Sequence, residues 1–178
     1  MAYYDMHVHT VFSHDGKQTV EQACEVAKEL ELAGIAVTDH VEMSWFSPCS
    51  TVKRIVDCHR VCDKAREHGG SAIEVSFGME LSGPFSNSDD TRKVMTCTDY
   101  DVILGSVHMV PLNGKLFECS QTEFGRSVSE QELCLFLDAY WQQVLYLTEE
   151  VDFDVLAHLT FPLRYICGKY GRQVSLQR

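Results

Sequence analysis

The chain has 178 residues, 45% of them hydrophobic, with a mean hydropathy of -0.13; this suits one domain with a real core and excludes disordered and collagen-like classes. A formal net charge of -11 and a pI near 5.1 argue against a nonspecific grip on nucleic acid, and an anionic substrate would need metals or placed Arg and Lys. No basic segment leading into an apolar stretch opens the chain and no apolar run approaches the ~20 residues of a membrane span, so a cytoplasmic protein with its eight cysteines reduced is expected.

Tyr3 to His9 has the composition and alternation of a strand. Thr19 then opens a helical pattern through Leu32, with Val20, Ala23, Val26, Ala27 and Leu30 on one face, and Gly34 ends it. Ile35–Thr38 reads as a short buried strand. From about Val52 to Glu67 the helical period returns with Ile55, Val56 and Val61 inward, stopped by Gly69-Gly70. Cys58 and Cys62 lie one helical turn apart around His59; two ligands on a helix do not close a metal site, and they read as small buried apolar residues. Ala72–Met79 is a third strand, Gly83–Thr98 a polar loop, Asp101–Val107 a fourth strand, Glu130–Thr148 a helix and Phe153–Ala157 a fifth strand. Alternating strands and helices predict parallel strands with right-handed crossovers, hence an α/β sheet or barrel. The segment from Gly168 is polar with no further strand, whereas a whole TIM-like barrel takes ~250 residues, so either the sheet stays open or the remaining strands are absent from this chain.

Five of the eight histidines (His7, His9, His40, His108 and His158) fall at or just past the carboxyl end of a predicted strand. Parallel α/β folds bind ligands at that end, so the pattern points to one shared site. His7-Val-His9 puts two imidazoles on one face of a strand within reach of one cation, although alone it fits a satisfied core pair equally well. Asp15 follows in a turn with Gly16, where it can face the metals or serve as a turn or cap residue. Thr38-Asp39-His40 ends the second strand. Glu80 directly follows the third, where an unpaired carboxylate is costly, making it a candidate bridge between two cations. His108 and His158 repeat the arrangement on the fourth and fifth strands. Imidazole plus carboxylate without thiolate suits zinc, iron or manganese. His59 and His68 read as helix surface residues, and His14 as pointing away from Asp15.

In order along the chain, His7-x-His9-Thr10, Ser13-x-Asp15-Gly16, Thr38-Asp39-His40, Gly78-Met79-Glu80, Gly105-Ser106-Val107-His108 and Asp154-Val155-Leu156-Ala157-His158 resemble the motifs of the PHP (polymerase and histidinol phosphatase) family. Asp15 and the stretch Ala157 to Tyr165 look most like its histidinol-phosphate phosphatase branch. The resemblance implies a distorted TIM-like (βα)7 barrel, about five strands of it present here, as a single domain over 1–178 that lacks the C-terminal part. It implies up to three divalent transition metals: His7, His9 and Glu80 on the first, Glu80, His108 and His158 on the second, Asp15 and His40 on the third. Arg164 matches an arginine suited to the substrate phosphate or, more plainly, a surface charge at a helix start. The family's final Asp-x-His has no counterpart before Arg178, which leaves only the second metal fully liganded and predicts a partial chain. The implied chemistry is hydrolysis of a small phosphate monoester, most specifically L-histidinol phosphate in histidine biosynthesis. A hydroxide shared by the first two metals would attack phosphorus in line while the third metal and Arg164 hold nonbridging oxygens, with Glu80 and His108 counted as catalytic and Asp39 catalytic or, better, orienting ligands. Phosphotyrosine or nucleotide esters, or a noncatalytic module, are the alternatives. No membrane or nucleic-acid partner is expected, and the oligomeric state is not set by these residues.

Overall fold

A computed structural model describes residues 2–68, 73–83 and 88–174. Chain order is β1 (Tyr4–Val8), α1 (Val20–Glu29), β2 (Gly34–Val37), β3 (His40–Glu42), α2 (Pro48–His68), β4 (Glu74–Ser82), α3 (Ser88–Thr96), β5 (Val102–Ser106), β6 (Met109–Leu112), β7 (Lys115–Glu118), α4 (Glu130–Glu150), β8 (Val155–Leu156) and the short α5 (Phe161–Leu163), which runs into a π-type turn, Arg164–Lys169. The strands form one parallel sheet in the order β1-β2-β4-β5-β8, with β3 continuing the line of β2 and pairing with β4. This is the expected α/β architecture with five strand lines, a half-barrel.

Local chemistry sets the helix starts. Thr19 and Gln22 form a capping box at α1, and Ser129 and Glu132 form one at α4, each satisfying amide donors that the first turn leaves unpaired. In α1 the inward stripe is Val20, Ala23, Cys24 and Ala27, the i, i+3, i+4, i+7 set. Val26 and Leu30, expected inward, are 46% and 65% exposed, because one falls off that stripe and the other follows the helix end. Cys58 and Cys62 are buried in the main core with Ile55. That core lies between the helices and one sheet face, while Ala36, Val102, Leu104 and Ala157 form a small separate cluster.

Three expectations need correction. The polar segment after Gly83 contains α3, anchored by fully buried Val94 and dressed with Arg92–Asp89 and Lys93–Asp90 pairs one turn apart, so its few apolar residues hid its period. β4 does not end at Met79 but runs through Glu80 to Ser82, since it is paired on both sides, to β3 and β5. His59 is not a free surface residue: its ring stacks on Phe77 at 4.4 Å and its Nδ1 lies 2.6 Å from Thr98 Oγ1. The expected helix stop at Gly69-Gly70 and strand start at Ala72 lie outside the described residues, as does the His68 side chain. The strand bounds otherwise move by one or two residues, and the antiparallel hairpin of β6 and β7 is an addition. Among the described residues no helix is long and apolar enough to cross a membrane.

Candidate metal centre

Glu80 is fully buried, yet β4 carries it into the centre of the sheet beside His40, its register partner on β3. Its Oε2 lies 3.2 Å from His7 Nε2, 3.1 Å from His9 Nε2 and 3.1 Å from His40 Nδ1. Its Oε1 lies 3.1 Å from His108 Nε2 and 2.7 Å from His158 Nε2. One carboxylate thus meets five imidazoles delivered at three strand lines (β1, β2–β3 and β5) and by the loop after β8. Asp15 stands at the rim, 3.2 Å from His9 Nδ1 and 3.4 Å from His40 Nε2.

The loops that hold these side chains are themselves tied. Ser13 Oγ accepts the His40 amide at 2.7 Å and Ser82 Oγ accepts that of His108 at 3.1 Å. A Cβ at Gly16 would lie 1.9 Å from the Thr10 carbonyl oxygen, so only glycine lets the turn carrying Asp15 fold back this closely. His158 has φ of 25°, a backbone value rarely used by a residue with a side chain and more often found at functional positions.

Asp39 is not at this site. Successive strand residues face opposite ways, so with His40 toward the cavity its neighbour points behind it. Asp39 accepts the Thr10 amide at 2.7 Å and the Thr10 hydroxyl at 2.6 Å, with Cys58 Sγ at 3.5 Å. It orients the loop after β1 and offers no acid to a substrate. His14 is the opposite correction: it stacks on His40 at 4.9 Å, meets the Trp45 ring edge-on at 5.3 Å and lines the cavity beside Asp15. Glu42, Glu118 and Ser120 also line it and were not singled out in the sequence. Glu42 was findable, because His40-x-Glu42 puts both on one strand face. Glu118 and Ser120 arrive on the β6–β7 hairpin, whose Asn113-Gly114 turn is a known hairpin signal. The cavity measures about 350 Å³, and Arg164 lines it as an exposed side chain.

The charges are coupled. Burial alone pushes the Glu80 carboxyl up, but the imidazoles of His108, His158, His7 and His9 outweigh it and hold it far below the usual carboxylate range. Burial likewise opposes charge on His108, while Glu42 and Glu80 bring its value to about 10; Glu42 itself falls to about 2 against its own burial, through His108 and His40.

The donor set fits divalent transition metals. His40 Nδ1, Glu42 Oε2 and Glu80 Oε2 are buried with no hydrogen-bond partner, although Glu80 Oε2 has three ring nitrogens within 3.2 Å. Nitrogens that are close but wrongly aimed for hydrogen bonds are what ligands converging on ions would show. Two atoms on one tetrahedral zinc stand about 3.3 Å apart, near the 3.1–3.2 Å that separate Glu80 Oε2 from its three ring nitrogens, whereas His158 Nε2 at 2.7 Å from Oε1 is at hydrogen-bond distance. Groups able to hold an ion are His7, Glu80 and His158; His9, His40 and Glu80; His14, Asp15 and His40; and His40, Glu42 and His108. The structure therefore brings together all seven expected ligands, but couples His7 with His158 across Glu80 and adds His14 and Glu42.

A family model described as "PHP domain" matches residues 5–175. A Clostridium acetobutylicum protein named "Probable histidinol-phosphatase" is 24% identical over 163 residues, which are 91% of this chain and 59% of that one. The crystal structure of the Lactococcus lactis histidinol phosphate phosphatase, complexed with zinc, L-histidinol and phosphate, superposes with a TM-score of 0.64 at 18% identity, covering 91% of this chain and 59% of that one. A Listeria monocytogenes structure provisionally named a histidinol phosphatase gives a TM-score of 0.72 at 16% identity, covering 96% and 71%. The chain thus spans about three fifths of the first two relatives. With a family match over almost its whole length and the family's motifs gathered around Glu80, this chain belongs to the PHP domain family.

Proposed function

We propose that the protein is a metal-dependent phosphoric monoester hydrolase acting on L-histidinol phosphate, as a single PHP domain over 1–178. The observation that carries this is Glu80: a fully buried carboxylate ringed by five imidazoles has no simple structural use, whereas it suits a bridge between cations. Held by His7, His9, Asp15, His40, Glu80, His108 and His158, divalent zinc, iron or manganese would supply positive charge and an activated water. The chain's own groups do the rest. Glu80 and His108 keep the ion-holding atoms in place, and Arg164 at the cavity mouth takes phosphate oxygens with its planar fork. Phe161 and Tyr165 wall the cavity beside it. The relatives named as histidinol phosphatases support the choice of leaving group, and eight free cysteines suit a reducing cytoplasm.

The test is phosphate release from L-histidinol phosphate and from phosphotyrosine, by protein stripped of metal and then reloaded with zinc or manganese. Metal-dependent turnover favouring histidinol phosphate is expected, and Glu80→Gln should lower both bound metal and turnover. Equal or better turnover of phosphotyrosine would overturn the substrate, and a Glu80→Gln protein with parental metal would overturn the site.

A further inference from the structure

We propose that Glu42 is a positioning residue that fixes which ring nitrogen His108 presents to the metals, an inference that rests on the metal-dependent reading above. Glu42 closes the three-residue β3, in register with Ser82 of β4. Ser82 Oγ accepts the His108 amide, and the Cys119 amide donates to the His108 carbonyl at 2.9 Å, so the main chain of His108 is held at both ends. The ring itself packs against His158 and Phe161, and its two nitrogens are aimed apart. Its Nδ1 lies 2.6 Å from Glu42 Oε1, while its Nε2 faces Glu80. The shorter separation is that of a hydrogen bond between N–H and carboxylate and is less than the about 3.3 Å expected of two atoms sharing one tetrahedral ion. His108 therefore donates Nδ1–H to Glu42 and keeps the Nε2 lone pair for metal, an arrangement that ties ring orientation to an outer carboxylate.

His40 stands beside the same carboxylate but is not held by it in the same way. Its Nδ1 is 3.3 Å from Glu42 Oε1 and 3.1 Å from Glu80 Oε2, the spacing of atoms that share an ion, so the positioning role of Glu42 rests on His108.

The experiment uses the zinc-loaded protein with zinc alone as ligand, comparing parent, Glu42→Ala and Glu42→Gln. Competition with a chromophoric chelator reads zinc affinity, and proton NMR with 15N-labelled histidine reads the ring N–H of His108. Ten- to a hundredfold weaker zinc binding is expected for Glu42→Ala, with a smaller loss for Glu42→Gln, whose amide oxygen still accepts. The parent should show a downfield, slowly exchanging Nδ1–H that Glu42→Gln moves upfield and Glu42→Ala loses. Should Glu42→Ala not fold, the Glu42→Gln pair of readings decides. Parental affinity and an unmoved resonance in Glu42→Gln would overturn the proposal while leaving the metal centre intact. A saturating zinc count lower by one ion in either variant would make Glu42 a direct ligand and overturn it too. A parent that takes up no zinc overturns both this inference and the hydrolase reading.

Discussion

Glu80 is tolerated at full burial because imidazoles surround it, and the same coupling makes the metal-free site sensitive to pH. His108, raised from 6.5 to about 10, contributes stability that is full below 6.5 and lost as pH climbs through 10. Glu42, lowered from 4.5 to about 2, contributes stability that is full above 4.5 and lost as pH falls through 2. Metal-stripped protein should therefore melt highest between pH 4.5 and 6.5, and zinc, which competes with protons for these nitrogens, should move the optimum upward. Thermal scans across pH with and without zinc check this; a stripped protein whose melting temperature keeps rising above pH 7 contradicts it. Arg164 invites a second test at this scale. Its charged hydrogen bonds to phosphate are worth about 1.5–3 kcal/mol, so Arg164→Ala should lower kcat/KM roughly ten- to a hundredfold with metal content unchanged. Arg164→Lys should recover part of the loss, since a point charge cannot copy the fork. Unchanged kcat/KM in Arg164→Ala would remove Arg164 from phosphate binding.

Among the elements, the β6–β7 hairpin was not anticipated, yet it brings Met109, Glu118 and Ser120 to the cavity. Its turn has positive φ at both central residues, 52° at Asn113 and 72° at Gly114, the geometry that matches strand twist and favours Asn-Gly. A Cβ at Gly114 meets no atom, so Gly114→Ala tests backbone strain alone. A cost of about 1–2 kcal/mol is expected, and for a chain of this size each kcal/mol lowers the melting temperature by about 2–4 °C. Zinc affinity should change little, because the metal-facing histidines hang on the parallel sheet. An unchanged melting temperature would mean that the turn relaxes at no cost. α3 was missed for a different reason: Thr91 and Val94 are its buried residues, too few to declare a 3.6 period amid charges.

Over the whole molecule, the parallel sheet ends at β1 and β8, and both edges carry exposed apolar side chains: Tyr4 and Met6 on one, Val155 and Leu159 on or beside the other. Strand edges with unpaired backbone groups and apolar cover invite pairing between molecules. The 178-residue chain should associate reversibly as its concentration rises, which sedimentation velocity reads directly; a concentration-independent monomer would show both edges to be inert. Much of this molecule was legible in the residues alone. The alternation of apolar runs announces parallel strands, and the placement of His7, His9, His40, His108 and His158 at strand ends announces a shared site, because both follow from the period of two and the common direction of strands. The residues could not say which way His14 faces, since a bend of one residue after a strand inverts a side chain, whereas Asp39 facing away follows from the same period of two once His40 is placed in the site. Nor could they show that Glu42 pairs with His108 across 66 positions or that Glu80 lies inside β4. Those facts depend on sheet register, which sets distant residues side by side, and register is decided only when the strands pack.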